Sequence, residues 1–206
     1  MLAGAGITLA LALASIVLGS VVGTLVAVLR LTRVAVLSPL ATLYVSCMRG
    51  TPLLVQLFVI YFGLPSIGIQ FDPVSAGILG LGLNVGAYLS ETIRGAINGV
   101  ERGQWNAARS LGLTQAQTLR YIVGPQALRL AVPSLSNSLI SLIKDTSLVS
   151  VIAVSELMLA TREVIATTFQ PFPLYLAAAG IYWAMSAFFE ALQKRLERRL
   201  NRSYQH

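Results

Sequence analysis

Residues 103–125 read GQWNAARSLGLTQAQTLRYIVGP and interrupt two apolar stretches with a polar, basic segment built as helix, glycine stop, helix. Residues 104–111 are good helix formers, Gly112 suits the left-handed position just past a helix end, and Thr114 with Gln117 has the spacing of a capping box. Gly124 and Pro125 are expected to stop the second helix. Two short helices set at an angle expose one face of the first, and Trp105, Ala108 and Arg109 are expected on the face that meets a partner. Helix signals alone fit an inert loop equally well; an ordered basic elbow in an apolar chain fits a receiver of force from outside the bilayer.

The rest of the chain supplies that bilayer. It has 206 residues, 55% hydrophobic and only 11% charged, which reads as a multi-span membrane protein forming one domain, residues 1–206, with the elbow loop at about 99–129. The single Cys47 cannot form an internal disulfide and is expected as a small buried apolar side chain. His206 is the only histidine.

The net charge of +7 does not point to nucleic acid, because the basic residues follow topology instead of gathering on an aromatic-studded face. Arg30 and Arg33 follow the first apolar run, Arg102, Arg109, Arg120 and Arg129 decorate the elbow, and Lys194, Arg195, Arg198, Arg199 and Arg202 follow the last run. Positive residues stay inside, so all three groups are cytoplasmic, the N-terminus faces outward, and the number of spans is odd.

Residues 3–29 form an uncharged first span; a cleaved signal peptide is disfavoured because no basic residue precedes it. Gly19 and Gly23 form a GxxxG pair suited to close helix contact. Residues 34–48 are amphipathic, Arg49-Gly50-Thr51-Pro52 breaks the chain, and residues 53–63 cross. That is either one kinked span or a surface helix followed by a span. Arg49 is expected to snorkel at the inner interface. Residues 64–73 read as an outer loop, and 74–97, 130–151 and 173–192 as three more spans, five in all. Residues 153–172 carry Glu156, Arg162, Glu163 and Gln170, too polar for lipid, and are expected over the outer mouth or re-entering against protein.

Within the elbow, Asn106-Ala107-Ala108, three residues, Gly112, nine residues, Ile122, one residue and Gly124-Pro125 resembles the EAA loop of ABC importer permeases. The pattern of that loop is Glu-Ala-Ala, three residues, Gly, nine residues, Ile-x-Leu-Pro. Asn106 stands in place of Glu and Gly124 in place of Leu, so no docking ion pair at 106 is carried over. Residues 49–65 (RGTPLLVQLFVIYFGLP), 66–97 (SIGIQFDPVSAGILGLGLNVGAYLSETIRGAI) and 143–157 (IKDTSLVSVIAVSEL) resemble segments of the polar amino-acid permeases, most closely the cystine and general polar amino-acid group.

The resemblance implies an all-α integral membrane protein of about five transmembrane helices with a cytoplasmic coupling helix, the type I (MetI-like) importer architecture. It implies a multi-pass permease of the bacterial inner membrane, surrounded by lipid. Its partners would be two ATPase subunits, which bind ATP and Mg, a second permease copy or a similar chain, and an extracytoplasmic solute-binding protein. Trp105, Asn106, Ala107, Ala108, Arg109 and Gly112 would dock on the ATPase. No cofactor is expected in this chain. Glutamine, glutamate, histidine and arginine remain open beside cystine.

Charged groups at bilayer depth cost roughly 2.5–3.5 kcal/mol, so each needs a partner or a task. An amino acid brings an ammonium and a carboxylate that must both be desolvated, and Glu91, Lys144 and Asp145, with Asn84, Tyr88 and Asn137, are the candidate substrate contacts. Glu91 and Arg94 are three apart and equally fit a structural pair. Lys144 and Asp145 point about 100° apart, and each is expected to look into the protein interior or pair with a neighbouring helix. No G-x-x-x-x-G-K-[ST], metal cluster or nucleophile with its base occurs, so this chain is expected to be no enzyme. The alternatives are an ion-coupled secondary carrier or channel, against which no internal repeat is found, and a membrane scaffold, which leaves the intramembrane charges without a task.

Overall fold

The computed structural model describes residues 1–32 and 36–202. Arg33, Val34 and His206, named above, lie outside the described residues. Among the described residues the regular structure is helical throughout. It comprises α1 (Leu2–Thr32), α2 (Leu37–Gly50), α3 (Leu53–Phe58), α4 (Pro73–Asn98), α5 (Arg102–Ser110), α6 (Gln115–Thr118), α7 (Gly124–Asp145), α8 (Leu157–Thr168) and α9 (Pro171–Arg202). Three of these helices are long and apolar enough to cross a membrane: Leu2–Leu31, Pro73–Asn98 and Pro171–Arg198. α2 and the segment Leu53–Ile67 are long and apolar enough only when taken together, as a pair bent by 109° at the Thr51-Pro52 break, the form of a broken span or a re-entrant loop. α7, expected as a further span, is 22 residues long but falls short of the apolarity of the others, because it carries Ser134, Ser136, Asn137, Ser138, Ser141, Lys144 and Asp145.

α1 and α4 form the frame. Inside a bilayer the lipid is as apolar as leucine, so helices associate through close packing and polar contacts rather than through exclusion of water. Here two GxxxG pairs face each other: a β-carbon on Gly19 would come 2.3 Å from Val85 and 3.0 Å from the Gly82 carbonyl, and one on Gly23 would come 2.8 Å from the Gly86 carbonyl. Contacts climb both helices together, Gly19 beside Gly82 and Gly23 beside Gly86 and Ser90, so the helices run the same way. The seam ends in an ionic knot: Arg30 of α1 pairs with Glu91, whose other oxygen takes the Arg94 Nη2 at 2.6 Å.

At the opposite end of α1, Glu156 is fully buried and ties three helices. Its carboxyl accepts from the Tyr182 hydroxyl of α9 at 2.6 Å, from Thr8 of α1 at 3.3 Å and from the Leu159 amide of α8 at 2.9 Å. The polar segment expected over the mouth thus packs on protein, with Arg162, Glu163 and Gln170 exposed.

Two helical continuities were expected as stops. Before Pro65 and before Pro125 the chain opens into a π-helical turn, Val59–Gly63 and Leu119–Val123, in each of which an amide reaches back five residues, Leu64 to Val59 and Gly124 to Leu119. Proline has no N–H and its ring crowds the carbonyl four residues earlier; widening the turn relieves that crowding without ending the helix. Gly124-Pro125 therefore opens α7 instead of closing α6. Cys47, expected buried, is exposed on α2.

Candidate functional site

A cavity of about 490 Å³ opens between the α2–α3 break, α4 and α7. α4 contributes Asn84 and Tyr88, one helical turn apart on one face; α7 contributes Asn137, Ser138, Ser141 and Asp145; the break contributes Thr51 and Pro52. Asn84, Tyr88, Asn137 and Asp145, four of the six substrate candidates, are brought together. The other two are not among its lining residues. Glu91 is held in the ionic knot with Arg30 and Arg94, and Lys144, expected to look inward, is exposed. Arg49 is also exposed, and its guanidinium lies 5.3 Å from the Tyr88 ring centroid, in range of a cation–π contact. The cavity thus offers one acid, neutral amides and hydroxyls, and a cation stacked on one wall residue.

The break is built by Pro52. In a continuous helix the Met48 carbonyl would bond the amide of residue 52, but proline has none. The orphan is claimed by two side-chain amides, the Gln56 Nε2 at 2.9 Å and the Asn84 Nδ2 at 3.1 Å. Gln56 Nε2 also donates to the Thr51 carbonyl and hydroxyl, and Asn84 Nδ2 donates to Gln56 Oε1 at 3.1 Å. Sequence reading missed Gln56 and Thr51. Their signal was available: a lone amide within Leu53–Phe58, four residues after a proline that ends a helix.

The elbow closes as its spacing predicts. Gly112 has φ of 74°, and the amides of Gly112 and Leu113 bond the carbonyls of Arg109 and Ala108 at 2.9 and 3.1 Å, a Schellman end to α5. Thr114 and Gln117 exchange the two bonds of a capping box. The face assignment changes, however. Ala108 is fully buried, and Trp105, half-buried, packs against the cluster of Ala96, Val100, Val123, Ala127 and Ala131 and fastens α5 to the helices above it. Asn106, Ala107, Arg109 and Ser110 are exposed, as are the large side chains Leu111 and Tyr121, which the sequence reading did not single out. A second cavity, of about 1120 Å³, separates α5 from the ends of α1 and α4 along Arg30, Arg94, Asn98, Trp105 and Arg109. Small-residue packing on one side and open space on the other leave the elbow attached but not clamped.

The family described as "Binding-protein-dependent transport system inner membrane component" matches residues 15–202. A probable amino-acid ABC transporter permease protein, YckA of Bacillus subtilis (strain 168), is 43% identical over 95% of this chain and 87% of its own length. The L-cystine transport system permease protein TcyB of the same organism is 42% identical over 95% of this chain and 84% of its own. A crystal structure of an amino acid ABC transporter with histidines superposes with a TM-score of 0.92 at 36% identity, covering 96% of this chain and 92% of that one.

Proposed function

The chain belongs to the family of binding-protein-dependent transport system inner membrane components and is a permease subunit of an amino-acid ABC importer, and from that premise we propose that its smaller cavity is where the amino acid passes and its elbow is where the ATPase pushes. The observation that carries the first half is convergence: Asn84, Tyr88, Asn137 and Asp145, far apart in sequence, line one cavity. In this reading Asp145 takes the ammonium, Asn84, Asn137 and Tyr88 replace lost water, and Arg49 stands beside Tyr88 for the carboxylate. Glu91 is assigned to the frame, and Lys144 to an outer surface of α7.

The second half rests on the exposed face of α5. Asn106, Ala107 and Arg109 form the docking surface, Gly112 sets the angle of the elbow, and Trp105 and Ala108 transmit its displacement to α4 and α7. Two ATPase subunits hold ATP and Mg; a second permease copy completes the pathway; a solute-binding protein delivers substrate on the outer side, where the N-terminus lies. The strength of the resemblance favours cystine or a related polar amino acid as cargo. ATP-driven closure of the ATPases favours one of two packings of the bundle, and hydrolysis restores the other.

One experiment tests both halves. In the reconstituted complex with its binding protein, ATPase stimulation is surveyed across amino acids, then repeated with Gly112→Val. A β-branched residue resists positive φ, so hydrolysis is expected to persist while uptake falls about tenfold or more, the effect of roughly 1–2 kcal/mol of backbone strain at the joint. Unchanged uptake with Gly112→Val contradicts the docking role. No stimulation by any polar amino acid contradicts the cargo.

A further inference from the structure

The orientation of the Asn84 amide decides which end of a substrate the α4 wall of the cavity can read. Carbonyl oxygens only accept hydrogen bonds, and those of Met48 and Thr51 are left without a helical donor around the Pro52 break. The Thr51 hydroxyl is equally constrained, because it donates to the Cys47 carbonyl at 2.8 Å and meets Gln56 at 2.9 Å as an acceptor. Three acceptors around Gln56 therefore require its nitrogen to face them, which turns Gln56 Oε1 the other way. That oxygen and the Met48 carbonyl are the two atoms 3.1 Å from the Asn84 amide, so the nitrogen of Asn84 must face both. Both of its protons are consumed. Asn84 Oδ1 is left to face the cavity, and no donor among the described residues reaches it.

We infer that Gln56 is a positioning residue that fixes Asn84 as a pure acceptor, so that the cavity selects the ammonium end of its cargo and rejects an analogue lacking it. Neighbouring groups agree in sign. The Ser138 hydroxyl proton is committed to the Ser134 carbonyl at 2.9 Å, which leaves oxygen lone pairs toward the cavity, and Asp145 adds a carboxylate on the same wall. An ammonium carries three donors and no acceptor, and matches this set; a carboxylate would meet lone pairs on each of these atoms. Selectivity of this kind comes from leaving the polar groups of a site unpaired when the wrong ligand enters. The inference rests on the cavity being the substrate site, and adds which chemical end it reads and what holds the reader in place.

The test uses the assembled transporter without its binding protein, so that the discrimination measured belongs to the membrane subunits. Three ligands are compared by direct binding: the amino acid that stimulates ATPase activity most, its methyl ester, and the corresponding acid lacking the α-amine. The ester should bind and the deaminated acid should bind about tenfold to a hundredfold more weakly, the worth of one hydrogen bond to a charged group. Gln56→Met removes one of the two acceptors that hold the Asn84 nitrogen, leaving the Met48 carbonyl alone to orient it, and should shrink the ratio of ester to deaminated acid severalfold while Asp145 stays in place. Asn84→Leu removes the reader, and should weaken the ester more than the deaminated acid. Equal loss of both ligands in Gln56→Met, or a wild type that binds the deaminated acid as well as the ester, overturns the proposal. Binding of all three ligands that is indifferent to Asp145→Asn and Asn84→Leu removes the cavity reading, and the proposal with it.

Discussion

α4 has two faces that obey opposite rules. Toward α1 it presents Gly82, Gly86 and Ser90, packed so closely that a β-carbon on Gly82 would come 2.7 Å from the Leu18 side chain and one on Gly86 3.2 Å from the Gly19 carbonyl; toward α7 and the α2–α3 break it presents Asn84 and Tyr88 to open space. The residues alternate along the same turns, so one helix is at once a fixed strut and one wall of a polar site. The contrast teaches that the site is held by what stands behind it: the seam and the Arg30–Glu91–Arg94 knot fix α4, and Gln56 fixes the side chain that α4 offers.

The largest effect should come from the fixed face. Gly23→Leu drives carbon into the Gly86 carbonyl and the Leu89 side chain, neither of which can swing away, and overpacking of this kind costs about 1–3 kcal/mol or more. Loss of monodisperse protein in detergent is expected, whereas Gly6→Leu, which meets nothing within 4 Å, should behave as wild type. A stable Gly23→Leu protein would break the comparison at its root. Next comes the open face: Asp145→Asn should lower uptake about tenfold or more, as loss of a charge-assisted contact does, with the complex still assembled. Failure to assemble would move Asp145 from cargo to frame.

Glu91→Gln sharpens the boundary between the faces. It should reduce thermal stability by on the order of 1–3 kcal/mol, since two charge-assisted partners weaken together, and leave the substrate profile of ATPase stimulation unchanged. A changed profile would return Glu91 to the cargo path. The smallest effect lies at the entry to α4, where Asp72 caps the helix and hydrogen bonds, from Ser75 first and then the Val74 amide, hold its carboxyl below the ordinary carboxylate range. A lowered pKa means the cap is intact at neutral pH and lost only as pH falls through the folded value. Asp72→Asn should therefore flatten the acid end of the stability curve and leave its neutral plateau nearly unchanged.

How much of this was legible follows from the range of the interaction that fixes each feature. The elbow was readable because its determinants are local: Gly112 for the left-handed end, Thr114 and Gln117 for the cap. α4 was readable as the apolar run 74–97, although the loop reading of 64–73 took in Asp72-Pro73, which start the helix by side chain and ring. Asn84, Tyr88, Asn137 and Asp145 stood out as polar groups in apolar runs. What was not legible depended on which face of a helix met which neighbour. Glu91 pairs with Arg30, distant in sequence, as well as with the local Arg94; Ala108 turns inward and Lys144 outward by a rotation that periodicity in a nearly all-apolar chain does not fix. The π turns were readable only as prolines, because a proline marks a stop or a widening with equal force.

The central claim is that the cavity beside the open face of α4 holds the amino acid. Cys47 is the only cysteine in the chain, so a Cys47→Ser background carrying Ser141→Cys places one thiol on the cavity wall. In the assembled transporter, a small polar thiol reagent should label it, and the amino acid that stimulates ATPase activity should slow that labelling in proportion to its occupancy. Labelling that proceeds at the same rate with and without saturating amino acid, while stimulation persists, would contradict the account.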